Sequence, residues 1–338
     1  MTLAVAALPP ELRASLPPEL RGLRRDRVRL MIVDRAANEV RHTRFDRIGE
    51  HLGTGDLLVV NTSRTLPAAI PALRADGTLV QLRPCVRRDG EWHALAVEPL
   101  PPHRNVPLVL GERLTTAELF LGVVVGRRVD IPLLWRIAVE LPDVALMTGV
   151  GEPIRYSYVP EPVPLEHYQT IFATRPGSAE TPSAGRAFSW ELAIALRREG
   201  VALAEVVLHT GLSSYQDDEF DLEHRLYEEW SEVPEDTVRA VGRAARVIAV
   251  GTTVVRALEG AARDGTLRPW RGWTDLAIRE GSPLRVAHCL LTGLHEPQAS
   301  HWDLLRAFVG APLLERAYAE AVERRYLWHE FGDSMLIL

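Results

Sequence analysis

Three short segments carry residue types that can do chemistry. The apolar run AEVVLH (204–209) ends in His209 and is followed at once by Thr210-Gly211. An imidazole delivered at the end of a strand, with a turn directly after it, can act as acid or base near neutral pH, or be held as a structural histidine. Thr252-Thr253 follows VIAVG and precedes a helical pattern. Its hydroxyls and the free N–H groups of a helix start can meet a substrate oxygen, or can cap the helix. Arg256 and Glu259 lie one turn further on, three positions apart and near one face, as a ligand-holding pair or a surface ion pair.

Composition removes other chemistries. All 39 basic residues are arginine, and no lysine occurs. Schiff-base catalysis, pyridoxal phosphate attachment and a P-loop lysine are therefore excluded, while bidentate recognition of carboxylate or phosphate is well supplied. Cys85 and Cys289 are far apart and in no CxxC pair, so a cysteine zinc site is excluded and two free thiols are expected. His288, His295 and His301 are spaced by seven and six positions. None of these spacings is the three- or four-residue step of a helical ligand pair, so no metal is expected. The net charge of −6 fits a transient nucleic-acid substrate gripped by a local arginine patch better than a protein built to hold a nucleic-acid backbone.

The positioning elements follow from periodicity. RLMIVDR (29–35) and DLLVVN (56–61) read as buried core strands, the second preceded by the turn Gly53-Thr54-Gly55. From about residue 67 to 153 the texture changes to short β-rich stretches broken by Gly, Pro and Asp: 78–84, 93–99 and 122–134. That is the pattern of a small all-β barrel. Helical patterns return at 188–199, with Gly200 placed to end the helix, and at 234–245, 254–263, 301–310 and 313–326; strands fall at 204–209 and 245–253. The expected fold class is α/β: a large mixed α/β domain, discontinuous in sequence (1–66 and 154–338), with an inserted small barrel-like domain (67–153). No apolar run is long enough to cross a bilayer, and the start MTLAVAALPPEL lacks a basic n-region. A cytoplasmic protein without membrane association is expected. The oligomeric state is not legible.

Eight segments in order carry a resemblance: GDLLVVNTSRTLPA (55–68), YQTIFA (168–173), TPSAGRAF (181–188), LHTGLSSY (208–215), LEHRLYEEW (222–230), VIAVGTTVVRALE (247–259), LLTGLHEP (290–297) and FGDSMLIL (331–338). Together they resemble the S-adenosylmethionine:tRNA ribosyltransferase-isomerase family of queuosine biosynthesis, from about residue 8 to the C-terminus. The resemblance implies transfer and isomerisation of the ribosyl group of S-adenosylmethionine onto the aminomethyl arm of a 7-deazaguanine in tRNA. Epoxyqueuosine forms, and adenine and methionine are released. S-adenosylmethionine is then a co-substrate and no cofactor is needed. The acceptor is tRNA or a small deazapurine.

That chemistry asks for a base at the acidified C5′, a donor to the departing adenine, and partners for the methionine zwitterion. His209 is the leading acid or base. Arg256 and Glu259 are placed to hold the methionine ends, and Asp333 to accept from a ribose hydroxyl or an amine, or to cap a helix. Thr210, Gly211, Thr252, Thr253 and His295 are expected around the substrate. Asn61, Arg64, Tyr168 and Gln169 flank the insertion and are expected around the acceptor or the adenine.

Some positions depart from the family wording. N-D-T-R reads Asn61-Thr62-Ser63-Arg64, P-T-A-G-L-H-F reads Pro182-Ser183-Ala184-Gly185-Arg186-Ala187-Phe188, H-x-M-H-x-E reads His224-Arg225-Leu226-Tyr227-Glu228-Glu229, and N-F-H-L-P reads Gly293-Leu294-His295-Glu296-Pro297. Three readings stay open: a nucleotide-handling half that persists beside a remodelled acceptor half is the first, and an ordinary but divergent queuosine enzyme is the second. A catalytically silent nucleotide- or RNA-binding homologue is the third.

Overall fold

The computed structural model describes residues 8–117, 119–215, 226–295 and 300–338. The strands are β1 (Arg29–Asp34), β2 (Glu39–Arg44), β3 (Asp56–Asn61), β4 (Ser63–Thr65), β5 (Ile70–Leu73), β6 (Leu79–Arg88), β7 (Glu91–Val97), β8 (Arg113–Thr116), β9 (Leu119–Arg127), β10 (Trp135–Ala138), β11 (Arg175–Ser178), β12 (Ala202–Leu208), β13 (Glu229–Val233), β14 (Arg246–Val250), β15 (Trp270–Thr274), β16 (Cys289–Gly293) and β17 (Ser334–Ile337). The helices are α1 (Asp143–Val150), α2 (Trp190–Arg198), α3 (Glu235–Val241), α4 (Thr252–Ala261), α5 (Ser300–Phe308) and α6 (Ala311–Glu323).

The large sheet runs in the order β15-β13-β12-β3-β14-β16-β17-β1-β2. At its centre β12, β3, β14 and β16 are mutually parallel. All six residues of β3 are buried, because a central parallel strand is covered on both faces and cannot alternate polar with apolar. One face packs on α4, α5 and α6 through Val254, Leu258, Leu305, Leu314 and Tyr318. The other packs on α2 and on Phe45, Phe172 and Phe188. The helix expected at 188–199 forms as α2: the Ser189 hydroxyl accepts from the Leu192 amide, Leu192, Ala193 and Leu196 face inward, and Gly200 leaves the helix at φ +88°.

Strands β5 to β10 close into a barrel in the order β10-β7-β6-β5-β8-β9. Its neck is a two-way backbone pairing of Ala69 with Glu152 (2.8 and 2.9 Å). The stretch 122–134, read as continuously β-rich, stops being a strand at Arg127; Arg128 folds back onto Asp130 (2.8 Å) and a turn leads to β10. Helix α3 is shorter than the 234–245 pattern and ends at Val241 before Gly242. β2, β13, β15 and β17 had no periodic signal of their own. β2, β13 and β15 add to the edges of β1, β12 and β13, and β17 fills the gap between β16 and β1. Both cysteines are free and buried.

Candidate active site

The sheet topology delivers several chain segments to one edge. The carboxyl ends of β3, β12, β14 and β16 carry Asn61, His209, Gly251 and Gly293. Antiparallel pairing brings the start of β13 (Glu229) and of β17 (Ser334) to the same edge. Ligands in open α/β sheets bind outside the carboxyl ends of the strands. A cleft of about 690 Å³ opens here, and Thr210, Thr252, Thr253, Arg256 and His295 line it.

Helix α4 supplies the cationic side. Its N-cap is Gly251, at φ +102°, with no side-chain cap; a Cβ there would lie 3.2 Å from the Ala184 Cβ. Thr252 and Thr253 are therefore inside the first turn, not capping it. Thr253 Oγ1 receives the Asn61 amide (3.4 Å), and Asn61 also bonds the Leu208 backbone at both N–H (3.1 Å) and C=O (2.8 Å). One turn along, Arg256 donates through Nε to Leu276 O (3.0 Å) and through Nη1 to Glu229. Among the described residues its Nη2 is buried without a hydrogen-bond partner. A helix N-terminus and an uncommitted guanidinium N–H on one face make a carboxylate site. Glu229 is held in turn by the Gly211 amide (2.8 Å), and Gly211 has no room for a Cβ against the Tyr227 hydroxyl.

Other expected residues point elsewhere. Glu259 does not meet Arg256. It is buried, and its two oxygens accept the amides of Arg285, Val286 and Ala287 at 2.8, 2.9 and 2.9 Å. Asp333 accepts from the Arg29 amide (2.8 Å), Arg29 Nε (3.1 Å) and the Leu327 amide (2.7 Å). Burial pushes its carboxyl up, against the pull of those donors. His209 packs its ring on Gly177 and places Nδ1 2.7 Å from Ser63 Oγ, which is 2.6 Å from Ser178 Oγ. Burial holds the imidazole below its ordinary pKa, with Glu232 opposing and Arg175 assisting. Tyr168 is buried against Phe331, and burial pushes its phenol up to about 12. Gln169 pairs with the Thr65 backbone at O (2.8 Å) and N (3.2 Å). Arg64 is exposed on β4.

His295 does line the cleft and stacks on His301, with centroids 4.2 Å apart. Burial, then the imidazoles of His301 and His329, push it well below its ordinary pKa, so it is neutral at pH 7. His288 lies apart and accepts the Val247 amide (3.0 Å).

Among the departing positions, Ser63 is the partner of His209. Arg186 is turned inward, donating to His167 O (2.6 Å) and Glu19 (2.7 Å) over the Phe331 ring. Ala187 is in the core, and Tyr227 donates to Leu212 O (3.1 Å). His224, Arg225, Glu296 and Pro297 lie outside the described residues. The cleft also holds residues that sequence reasoning did not single out: Tyr156, Tyr158, Glu180, Glu229, His329 and Glu330. Only Glu229 stood inside a segment carrying the resemblance; no spacing rule links the rest, which meet through tertiary packing.

Known proteins agree with this architecture. S-adenosylmethionine:tRNA ribosyltransferase-isomerase of Thermotoga maritima is 36% identical over 338 residues, covering 98% of this chain and 97% of the relative. That of Rubrobacter xylanophilus is 37% identical over 320 residues, covering 93% and 91%. The crystal structure of S-adenosylmethionine tRNA ribosyltransferase from Thermotoga maritima superposes with a TM-score of 0.55 at 31% identity, over 98% of this chain and 99% of that one. The family model described as queuosine biosynthesis protein matches residues 6–337, and the chain belongs to that family.

Proposed function

We propose that this enzyme transfers and isomerises the ribosyl moiety of S-adenosylmethionine to the aminomethyl group of a 7-deazaguanine in tRNA, giving epoxyqueuosine, adenine and methionine. The observation that carries the reading is the buried, unpartnered Nη2 of Arg256 beside the uncapped start of α4, in a cleft of about 690 Å³. That volume suits a nucleoside with an amino-acid tail.

The methionine carboxylate takes Arg256 Nη2 and the first-turn amides of α4, with Thr252 and Thr253 offering hydroxyls. Glu229 keeps the guanidinium aimed by holding Nη1. The sulfonium acidifies the ribose C5′ protons, and a neutral imidazole on the cleft wall is the group to take one. His295 is our choice, because its depressed pKa keeps it unprotonated at pH 7. His209 stands behind that wall in a hydrogen-bonded relay with Ser63 and Ser178. Glu259 and Asp333 act through position: one fixes the 285–287 segment that leads into β16, the other clasps β17 to β1. Asn61 aligns Thr253, and Tyr168 and Gln169 brace the neighbouring β4.

No helix among the described residues is long and apolar enough to cross a membrane, which is in keeping with action on tRNA in the cytoplasm. The test is adenine release. The protein is incubated with S-adenosylmethionine and tRNA carrying aminomethyl-deazaguanine, and free adenine is measured by chromatography. Release that depends on the acceptor supports the reading, and its absence at saturating S-adenosylmethionine sinks it.

A further inference from the structure

One part of the cleft lining carries charge that the carboxylate site on Arg256 and α4 does not use. Glu180 and Glu330 both line the cleft. Glu180 accepts the Ser213 amide (3.1 Å) and a Tyr156 hydroxyl that is itself 2.9 Å from Ser213 Oγ. Glu330 accepts the Tyr158 hydroxyl. Among the described residues no arginine pairs with either carboxylate; Arg83, in the barrel, acts on Glu180 only through space. Two carboxylates of one sign in a partly enclosed site are unfavourable without a cation.

The surroundings say what kind of cation. Tyr156 and Tyr158 are stacked 5.5 Å apart at 2°, and Tyr158 stacks on His329 at 4.6 Å and 17°. All three rings line the cleft. The ring faces of such a stack that its own members do not cover offer a surface for a planar heterocycle and a π face for a cation. Independently, Thr210 Oγ1 is buried on this lining with no hydrogen-bond partner among the described residues, and the Thr210 carbonyl receives the amides of Ala179 and Glu180. An unpaired hydroxyl beside the acid awaits a polar ligand group.

We infer that Glu180, Glu330 and the Tyr156–Tyr158 wall form the acceptor subsite, which takes a flat heterocycle bearing a cationic amine, and that Glu180 removes the ammonium proton before attack. This rests on the ribosyl-transfer reading above. In the step, one N–H bond of the ammonium breaks, its electron pair stays on nitrogen, and the proton goes to a Glu180 carboxylate oxygen. The neutral amine is then the nucleophile. Burial, against hydrogen bonds from Tyr156 and Ser213 and helped by Glu330, pushes Glu180 up to about 7. A base of that strength is matched to work near neutral pH.

The test titrates the whole protein with 7-aminomethyl-deazaguanine, free and within tRNA, and with its uncharged 7-methyl analogue. The wild type should prefer the amine about tenfold, and E180Q/E330Q should lose that preference. Affinity for S-adenosylmethionine alone should stay within about twofold. For turnover, E180Q should lower kcat about 100-fold and flatten the pH profile, with partial rescue by E180D; E330Q should mainly raise the acceptor KM. Binding of only one of the two amine forms still supports the subsite and identifies its source. Equal affinity for amine and methyl forms in the wild type overturns the inference. So does a preference that survives E180Q/E330Q, or a loss of S-adenosylmethionine affinity in that variant, which would give the carboxylates to the donor's ammonium. Amine preference without adenine release would keep the subsite and remove the ribosyl-transfer reading.

Discussion

Arg256 pairs with Glu229 across the cleft edge, and not with Glu259 on its own helix. The two residues of α4 that a helical-spacing argument couples are separated by rotation: Arg256 reaches the cleft and Glu259 turns into the core.

Arg256 is expected to govern donor affinity. R256A should weaken S-adenosylmethionine binding by about 10- to 100-fold, the loss of one charge-assisted contact worth roughly 1.5–3 kcal/mol. R256K should recover little, since an ammonium cannot serve Leu276 O, Glu229 and a ligand in one plane. Calorimetry on folded protein measures this, and an R256A variant with wild-type affinity would remove the carboxylate site.

Glu259 belongs to stability. E259Q puts an NH2 group where three backbone amides converge, and should cost about 2–4 kcal/mol in urea unfolding. Any variant still folded should keep donor affinity within about threefold. An unchanged midpoint would contradict the assignment.

Asp56 and Arg246 join the starts of β3 and β14 by two hydrogen bonds, 2.8 and 2.7 Å. Burial pushes the Asp56 carboxyl up, but the Arg246 bonds, the Gly53 amide and the Arg246 charge outweigh it and leave it below its ordinary value of 3.8. A depressed folded pKa contributes stability above the unfolded value, which is lost as pH falls through the folded one. D56N should therefore cost about 1–2 kcal/mol at pH 7. The gap to wild type should close below pH 4, as thermal melts across that range would show.

Glu180 has the opposite sign. Raised from 4.5 to about 7, it contributes stability that is present below its unfolded pKa and is lost as pH rises through 7. E180Q should melt higher than wild type at pH 8, by about 1–3 kcal/mol after allowance for its half-buried position at the cleft. The two should converge at pH 4. A destabilised E180Q at pH 8 would mean that the carboxylate is paired.

Gly177 is the floor under His209. An alanine Cβ would lie 2.5 Å from the imidazole, so G177A should push the ring off Ser63, and both G177A and H209A should lower adenine release while S-adenosylmethionine affinity is kept. Full adenine release in both variants would take the Ser63–His209 relay out of the mechanism.

Much of this architecture was legible in residue order. DLLVVN is apolar at every position but its ends, and only a strand covered on both faces tolerates that. The Pro-, Gly- and Asp-broken β texture between the two halves announced the barrel. His209, Thr252 and Arg256 were readable because each stands at a fixed offset from a strand end or helix start, and local geometry is what periodicity encodes. Glu180, Glu229 and Glu330 lie far apart in the chain and on no common period. They line one cleft because β11 runs beside β4, β13 runs antiparallel to β12, and β17 runs antiparallel to β16. Rotation about α4 likewise decided that Arg256 and Glu259 part, since three positions place two side chains near one face without saying which neighbour each finds. Local pattern, then, set the elements and which residues stand at the strand ends and helix start. The partners of each charge were left to strand order and side-chain packing, because ion pairs form across distances that no sequence window spans.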